Sequence, residues 1–118
     1  RVSTIDSLAD ATLSVGNLTT LAGRPAGWAG LGTLVTEVNR LRGYGDFYHY
    51  HLLARGAIDL VIESDVNVLD IAALSVIVRE AGGLFTDLEG QGVGLDTTTV
   101  CAAATPELHR IARKRLGY

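Results

Sequence analysis

The chain has 118 residues, 47% of them apolar, and a formal net charge of −3. That length and apolar content suit a single domain, residues 1–118, with a real core, and the mild acidity argues against a nucleic-acid-binding surface. No apolar run approaches the roughly eighteen residues a bilayer span needs, the N-terminal residues lack the order of a signal peptide, and a cytoplasmic setting is expected.

In chain order, residues 11–15 read as a strand of small side chains, and residues 17–22 as one or two helical turns capped by Asn17. Gly23-Arg24-Pro25-Ala26-Gly27 reads as a break. Leu31, Leu34, Val35 and Val38 then recur at helical spacing and predict a surface helix over 31–38. Residues 40–42 form a short strand ending at Gly43-Tyr44-Gly45. Asp46 caps a helix to about Arg55, stopped by Gly56.

Residues 58–63 give the clearest strand. Asn67 caps a helix over 68–81, with Asp70 at the capping-box position, and Gly82-Gly83 end it by taking left-handed backbone conformations. Strands over 84–86 and 98–103 follow, then a helix over 106–116 capped by Thr105 with Pro106 in its first turn. The helix over 68–81 is apolar nearly all round, so it should be covered on both sides, and a third layer is expected.

Glu63 closes the apolar run Ile58-Asp59-Leu60-Val61-Ile62, and Asp70 opens the run that begins Ile71-Ala72-Ala73-Leu74. Ligands of α/β proteins gather at the carboxyl ends of strands and the amino ends of the following helices, so both acids are candidate site residues. Asp70 suits a hard divalent cation such as Mg²⁺, which takes one or two carboxylates with phosphate oxygens and water; capping its own helix is the alternative. Glu63 can accept hydrogen bonds from substrate hydroxyl or ammonium groups, or stand as a solvated strand end. Asp46 is a helix cap, a substrate contact, or both.

The remaining polar motifs carry less. Gly43-Tyr44-Gly45 lacks both the third glycine of a dinucleotide loop and the Gly-Lys-Ser/Thr ending of a P-loop. His49 and His51, two apart on a helix, point away from each other, which disfavours a shared metal. His109 reads as solvated, and the basic cluster Arg110, Arg113, Lys114 and Arg115 as complementing its helix dipole. The lone Cys101 permits no internal disulfide and reads as a small buried hydrophobe. No serine sits in a Gly-x-Ser-x-Gly elbow, so covalent serine catalysis is disfavoured.

The ordered set Arg42-Gly43-Tyr44-Gly45-Asp46-Phe47-Tyr48, Ala54-Arg55-Gly56-Ala57-Ile58-Asp59, Glu63, Leu69-Asp70-Ile71-Ala72-Ala73 and Glu80-Ala81-Gly82-Gly83 resembles the C-terminal half of the inositol monophosphatase family. The first run is most similar to its histidinol-phosphate phosphatase branch. The resemblance implies an α/β fold, the C-terminal subdomain of a layered α-β-α-β-α sandwich of the sugar phosphatase type. It also implies a Mg²⁺-dependent phosphomonoesterase, usually dimeric. By the same resemblance Asp70 ligates Mg²⁺ and holds substrate oxygen, while Glu63 and Asp46 line the site for the non-phosphate part of the substrate.

Two departures qualify it. Leu69 stands where the family usually has Trp, and the chain carries no Asp-Pro-x-Asp-Gly-Thr segment, the family's source of further metal ligands. No catalytic residue beyond the ligand Asp70 is therefore assigned. The catalytic N-terminal half is expected outside these residues, and the 118 residues alone are expected to be inactive. Histidinol phosphate is the expected substrate. An inositol monophosphatase, a sugar bisphosphatase and a non-catalytic binding or assembly module are the alternatives.

Overall fold

The computed structural model describes residues 1–45 and 47–118. The cap assigned to Asp46 lies outside the described residues. Five strands form one mixed sheet in the order β2-β1-β3-β5-β4: β1 Thr12–Val15, β2 Arg40–Arg42, β3 Leu60–Glu63, β4 Leu84–Thr86 and β5 Val100–Ala103. The strand β1 pairs parallel with β2 on one side and β3 on the other, with Leu13 opposite Leu41 and Leu60. The strand β5 runs antiparallel to both β3 and β4.

Because successive side chains of a strand point to opposite faces, the apolar strands build two cores. Leu13, Leu60, Ile62, Cys101 and Ala103 pack on one face with Leu21 of α1 (Thr19–Ala22), Leu31 and Leu34 of α2 (Pro25–Glu37), and Leu108 and Ala112 of α5 (Pro106–Arg115). Val61, Phe85, Val100 and Ala102 pack on the other with Tyr50 and Leu53 of α3 (Tyr48–Ala54) and Ile71, Leu74 and Val78 of α4 (Val68–Glu80). The result is helix, sheet, helix. The three parallel strands end at one edge of the sheet, and that edge positions the site.

Several expectations are corrected. The Gly23–Gly27 stretch does not break the chain fully, because α2 begins at Pro25, whose missing N–H costs nothing in a first turn. Gly27 and Gly30 sit inside that helix as close-packing points. A Cβ on Gly30 would fall 1.9 Å from the Arg115 carbonyl oxygen of α5. Asn17 does not cap α1; the N-cap is Leu18, without a side-chain bond, and remote Asp65 accepts from the Thr20 amide at 2.9 Å.

Asn67 caps α4 through the Leu69 amide at 2.8 Å. Of the two terminating glycines only Gly82 takes a positive φ, +96°; Gly83 is needed for room, since a Cβ there would lie 2.9 Å from Ala103 O. Within this chain α4 is covered on one side only. Leu69, Val76 and Ile77 are exposed, Leu69 at 84%. His109 is not solvated but buried, its Nε2 2.7 Å from Thr86 Oγ1. Arg113, beyond any dipole effect, donates to the carbonyls of Leu88 and Glu89 and fixes that turn. Cys101 is fully buried, and burial pushes its thiol up to about 12, so it stays protonated.

Candidate substrate cleft

The cleft lies where the carboxyl ends of β1 and β3 meet the amino end of α4. It measures about 620 Å³, and its walls include Asn17, Phe47, His51, Glu63, Asp65 and Asp70. Both described candidate acids, Glu63 and Asp70, therefore share one cavity. Asp46 lies outside the described residues, next to Phe47 of the wall.

Asp70 occupies the first turn of α4 because Asn67 starts the helix three residues earlier and the Asp70 amide donates to the Asn67 carbonyl at 2.9 Å. Asn67's side chain takes the Leu69 amide, so the reciprocal capping-box bond is not made and the exposed Asp70 carboxylate stands on the cleft wall. A free carboxylate in that place is a competent hard-cation ligand. Among the described residues no group of three or more His, Cys, Asp or Glu side chains gathers to hold a metal. The donor set thus fits Mg²⁺ as one arm of a larger coordination shell.

Glu63 is a different kind of acid. It is 4% exposed and points to the α3 face of the sheet, the face opposite Ile62. Tyr50 donates its hydroxyl to Oε1 at 2.5 Å, His49 Nε2 lies 3.2 Å from the same oxygen, and the Asn17 amide donates to Oε2 at 3.3 Å. Burial pushes its pKa up, yet the hydrogen bonds from His49, Tyr50 and the Asn17 amide outweigh this, so the carboxyl ionises below its ordinary range. A carboxylate offers about four lone-pair sites, of which these partners use three. One, on Oε2, remains. Tyr50 is driven the other way, its phenol raised by burial and then by the adjacent Glu63 charge and hydrogen bond, so it stays a donor. Gly16 makes room for this arrangement: a Cβ there would meet Glu63 Oε2 at 2.1 Å.

Asp65 follows with a left-handed φ of +58°, uncommon for a residue with a side chain. Its carboxylate accepts from the Thr20 amide and hydroxyl and from Ser64 Oγ at 2.8 Å, bonds that hold its pKa low. Those bonds tie the β3–α4 turn to the start of α1 and so shape the cleft floor. His49, Tyr50, Asn17 and Asp65 were not among the candidates, because the bonds that recruit them span 13 to 46 positions of sequence. The one available hint was Ser14, a polar residue in an inward-facing strand position. His49 and His51 do separate, His49 into the core and His51 onto the cleft wall.

Residues 23–116 match the model of the inositol monophosphatase family. The chain belongs to that family. It is 43% identical over 95 residues to a histidinol-phosphatase of Mycobacterium tuberculosis, covering 75% of this chain and 34% of that protein. It is 38% identical over 97 residues to a histidinol-phosphatase of Streptomyces coelicolor, covering 77% of this chain and 34% of that protein. Human inositol monophosphatase 2 is 38% identical over 64 residues, 54% of this chain and 22% of that protein.

Among solved structures, an inositol monophosphatase from Zymomonas mobilis superposes with a TM-score of 0.88 at 25% identity, covering 100% of this chain and 46% of that one. The extragenic suppressor protein suhB of Bartonella henselae gives 0.87 at 27% identity over 99% of this chain and 46% of that one. This member of the family therefore spans about a third of the two bacterial relatives, about a fifth of the human one and under half of the solved structures. Its α/β architecture is theirs.

Proposed function

We propose that the chain forms one wall of the active site of a Mg²⁺-dependent phosphatase that hydrolyses a small phosphomonoester, with histidinol phosphate as the substrate. The observation that carries this reading is the shared cleft, in which a free carboxylate, Asp70, faces a cavity whose other wall holds the pinned carboxylate Glu63. Asp70 would hold the metal, and Mg²⁺, when bound, supplies neutralisation of phosphate charge and a lowered pKa for bound water. Glu63 offers its remaining lone pair to a cationic or hydroxyl donor of the substrate. Asp46, which the family resemblance assigns to the same part of the substrate, would add a second acid. Histidinol carries an amine and an imidazole, so a cleft wall whose described residues include Glu63, Asp65 and Asp70 and no lysine suits it better than a polyol. The two bacterial relatives of about 40% identity support the same choice.

The remaining ligands and the water-activating group would come from an N-terminal half bearing the family's Asp-Pro-x-Asp-Gly-Thr segment. The uncovered apolar face of α4, with Leu69, Val76 and Ile77 exposed, is where that half would pack. The reading includes a cytoplasmic, homodimeric enzyme whose described wall alone is inactive.

Phosphate release by the intact polypeptide, with and without Mg²⁺, tests this on histidinol phosphate, inositol monophosphate and a sugar bisphosphate. Asp70→Asn is expected to lower kcat/KM on the order of 100-fold, the upper range for groups that support a metal. Asp46→Asn is expected to raise KM for histidinol phosphate more than for inositol phosphate. Equal effects on both substrates would remove the specificity reading, and metal-independent or absent hydrolysis would remove the phosphatase reading itself.

A further inference from the structure

His49 is a buried titratable group for which the proposed reaction has no use. It is 0% exposed, and so is Ser14. Ser14 Oγ lies 2.9 Å from His49 Nδ1, and the Tyr44 amide donates to the same Ser14 oxygen at 3.2 Å. At the other ring nitrogen, Nε2 lies 3.2 Å from Glu63 Oε1. A serine, a histidine and a glutamate in line suggest a nucleophile, but Ser14 is sealed from solvent and its oxygen is engaged on both sides. Covalent catalysis is therefore not its role.

One proton arrangement satisfies every group in this line. Ionised Glu63 can only accept, so Nε2 carries the proton and donates. Nδ1 is then an acceptor, and the Ser14 hydroxyl donates to it while its oxygen receives the Tyr44 amide. A doubly protonated ring would leave the Ser14 hydroxyl hydrogen without an acceptor in a sealed interior, at a cost of about 1–3 kcal/mol. The result is a single directed chain: Tyr44 N–H to Ser14, Ser14 O–H to His49, His49 N–H to Glu63.

Its two ends are the informative part. One is the carboxylate on the cleft wall. The other is the Gly43-Tyr44-Gly45 loop, which immediately precedes Asp46 and has no strand partner at Tyr44. The Tyr48 amide donates to Gly45 O at 3.2 Å and the exposed Tyr44 ring meets Tyr48 edge-on, which tie the loop to α3; the Tyr44 amide bond to Ser14 is its side-chain tie to β1. We infer that Ser14 and His49 are positioning residues that hold the Gly43–Gly45 loop, and through it Phe47 of the cleft wall, in register with Glu63, so that the non-phosphate end of the substrate meets Glu63 and that wall at a set separation. The inference rests on the phosphatase reading and extends it to substrate selection. Glu63 keeps Tyr50, Asn17 and the room left by Gly16 when the far link is cut, so cutting it releases the loop from β1 and leaves the carboxylate in place.

The test has two arms on the intact enzyme. Nitrogen-15 NMR of the histidine ring is expected to show a neutral Nε2–H tautomer for His49, converted toward a mixed or altered state by Ser14→Ala. That readout needs no activity, so it stands even if no phosphatase activity is found. In steady-state kinetics Ser14→Ala and His49→Gln, which keeps a donor near Nε2 and loses the serine link, are each expected to raise KM for histidinol phosphate about 10-fold. That is the low end for supporting groups, with kcat changed less than about twofold. The double variant is expected to match either single one, because both cut the same chain.

Ser14→Ala removes one oxygen and keeps the fold, which its circular dichroism checks. An active enzyme in which it leaves KM unchanged, lowers kcat alongside KM, or adds to His49→Gln overturns the inference. So does an Nδ1–H or protonated ring. Loss of hydrolysis in the unmodified enzyme overturns instead the reading on which the inference rests.

Discussion

Glu63 shows how far a single residue can be read from its neighbours. Its place at the end of an apolar strand was legible, because Ile58-Asp59-Leu60-Val61-Ile62 can only be a buried run that ends at a carboxylate. What the run could not show is that the carboxylate is buried too, since Tyr50, His49 and Asn17 arrive from α3 and from the turn after β1. A buried carboxylate is tolerable only while its partners remain. Tyr50→Phe keeps the ring against Phe85, 5.3 Å away between centroids, and removes only the hydroxyl. The Glu63 oxygen then loses its shortest bond. Stability is expected to fall by about 1–3 kcal/mol, the penalty for an under-satisfied buried group, as a lower urea midpoint with an unchanged m value. A loss under 0.5 kcal/mol, the scatter of surface substitutions, would mean that water replaces the phenol.

Among the elements, those that signal locally were legible and those that depend on a partner were not. Asn67 and Thr105 cap α4 and α5 as their sequence positions suggest, because cap and helix lie within three residues. The start of α2 was hidden, because Gly27 and Gly30 look like breakers until Leu21 of α1 is seen to press on the first and the end of α5 on the second. Two glycines of the same helix separate these meanings. Gly30→Ala puts a methyl 1.9 Å from a backbone oxygen, which no rotamer can relieve, so α2 and α5 must part; a loss of about 1–3 kcal/mol is expected. Gly32→Ala meets nothing within 4 Å and is expected to gain about 0.5–1 kcal/mol from helix propensity alone. Thermal unfolding of the pair decides it, and equal shifts would refute the close-packing account of Gly30.

At the scale of the whole molecule, the sequence conveyed an α/β domain and the edge of the sheet where its site gathers. It did not convey the buried titratable groups that bind that edge to the core. Those groups set how the fold responds to acid. His109 was read as solvated, yet burial, and then the Arg113 charge, lower its pKa, and its neutral Nε2–H donates to Thr86 Oγ1, whose own hydrogen goes to the Asp87 carbonyl. Its folded pKa lies below its unfolded one, so the unfolded chain takes up the proton first. Stability is then full above the ordinary imidazole value of 6.5 and falls as pH drops through it, levelling below the folded value.

Glu63 has the same sign in a lower window. Its folded pKa is below the ordinary 4.5, so its contribution is present above that value and is lost as pH falls further. Unfolding free energy measured against pH is therefore expected to decline in two stages, one beginning near 6.5 and one in the carboxylate range. His109→Gln keeps a polar atom toward Thr86 and cannot titrate, so it should flatten the first stage and leave the second. Glu63→Gln should lower stability at neutral pH and flatten the second. A first stage that survives His109→Gln would assign it to another group and return His109 to a purely packing role.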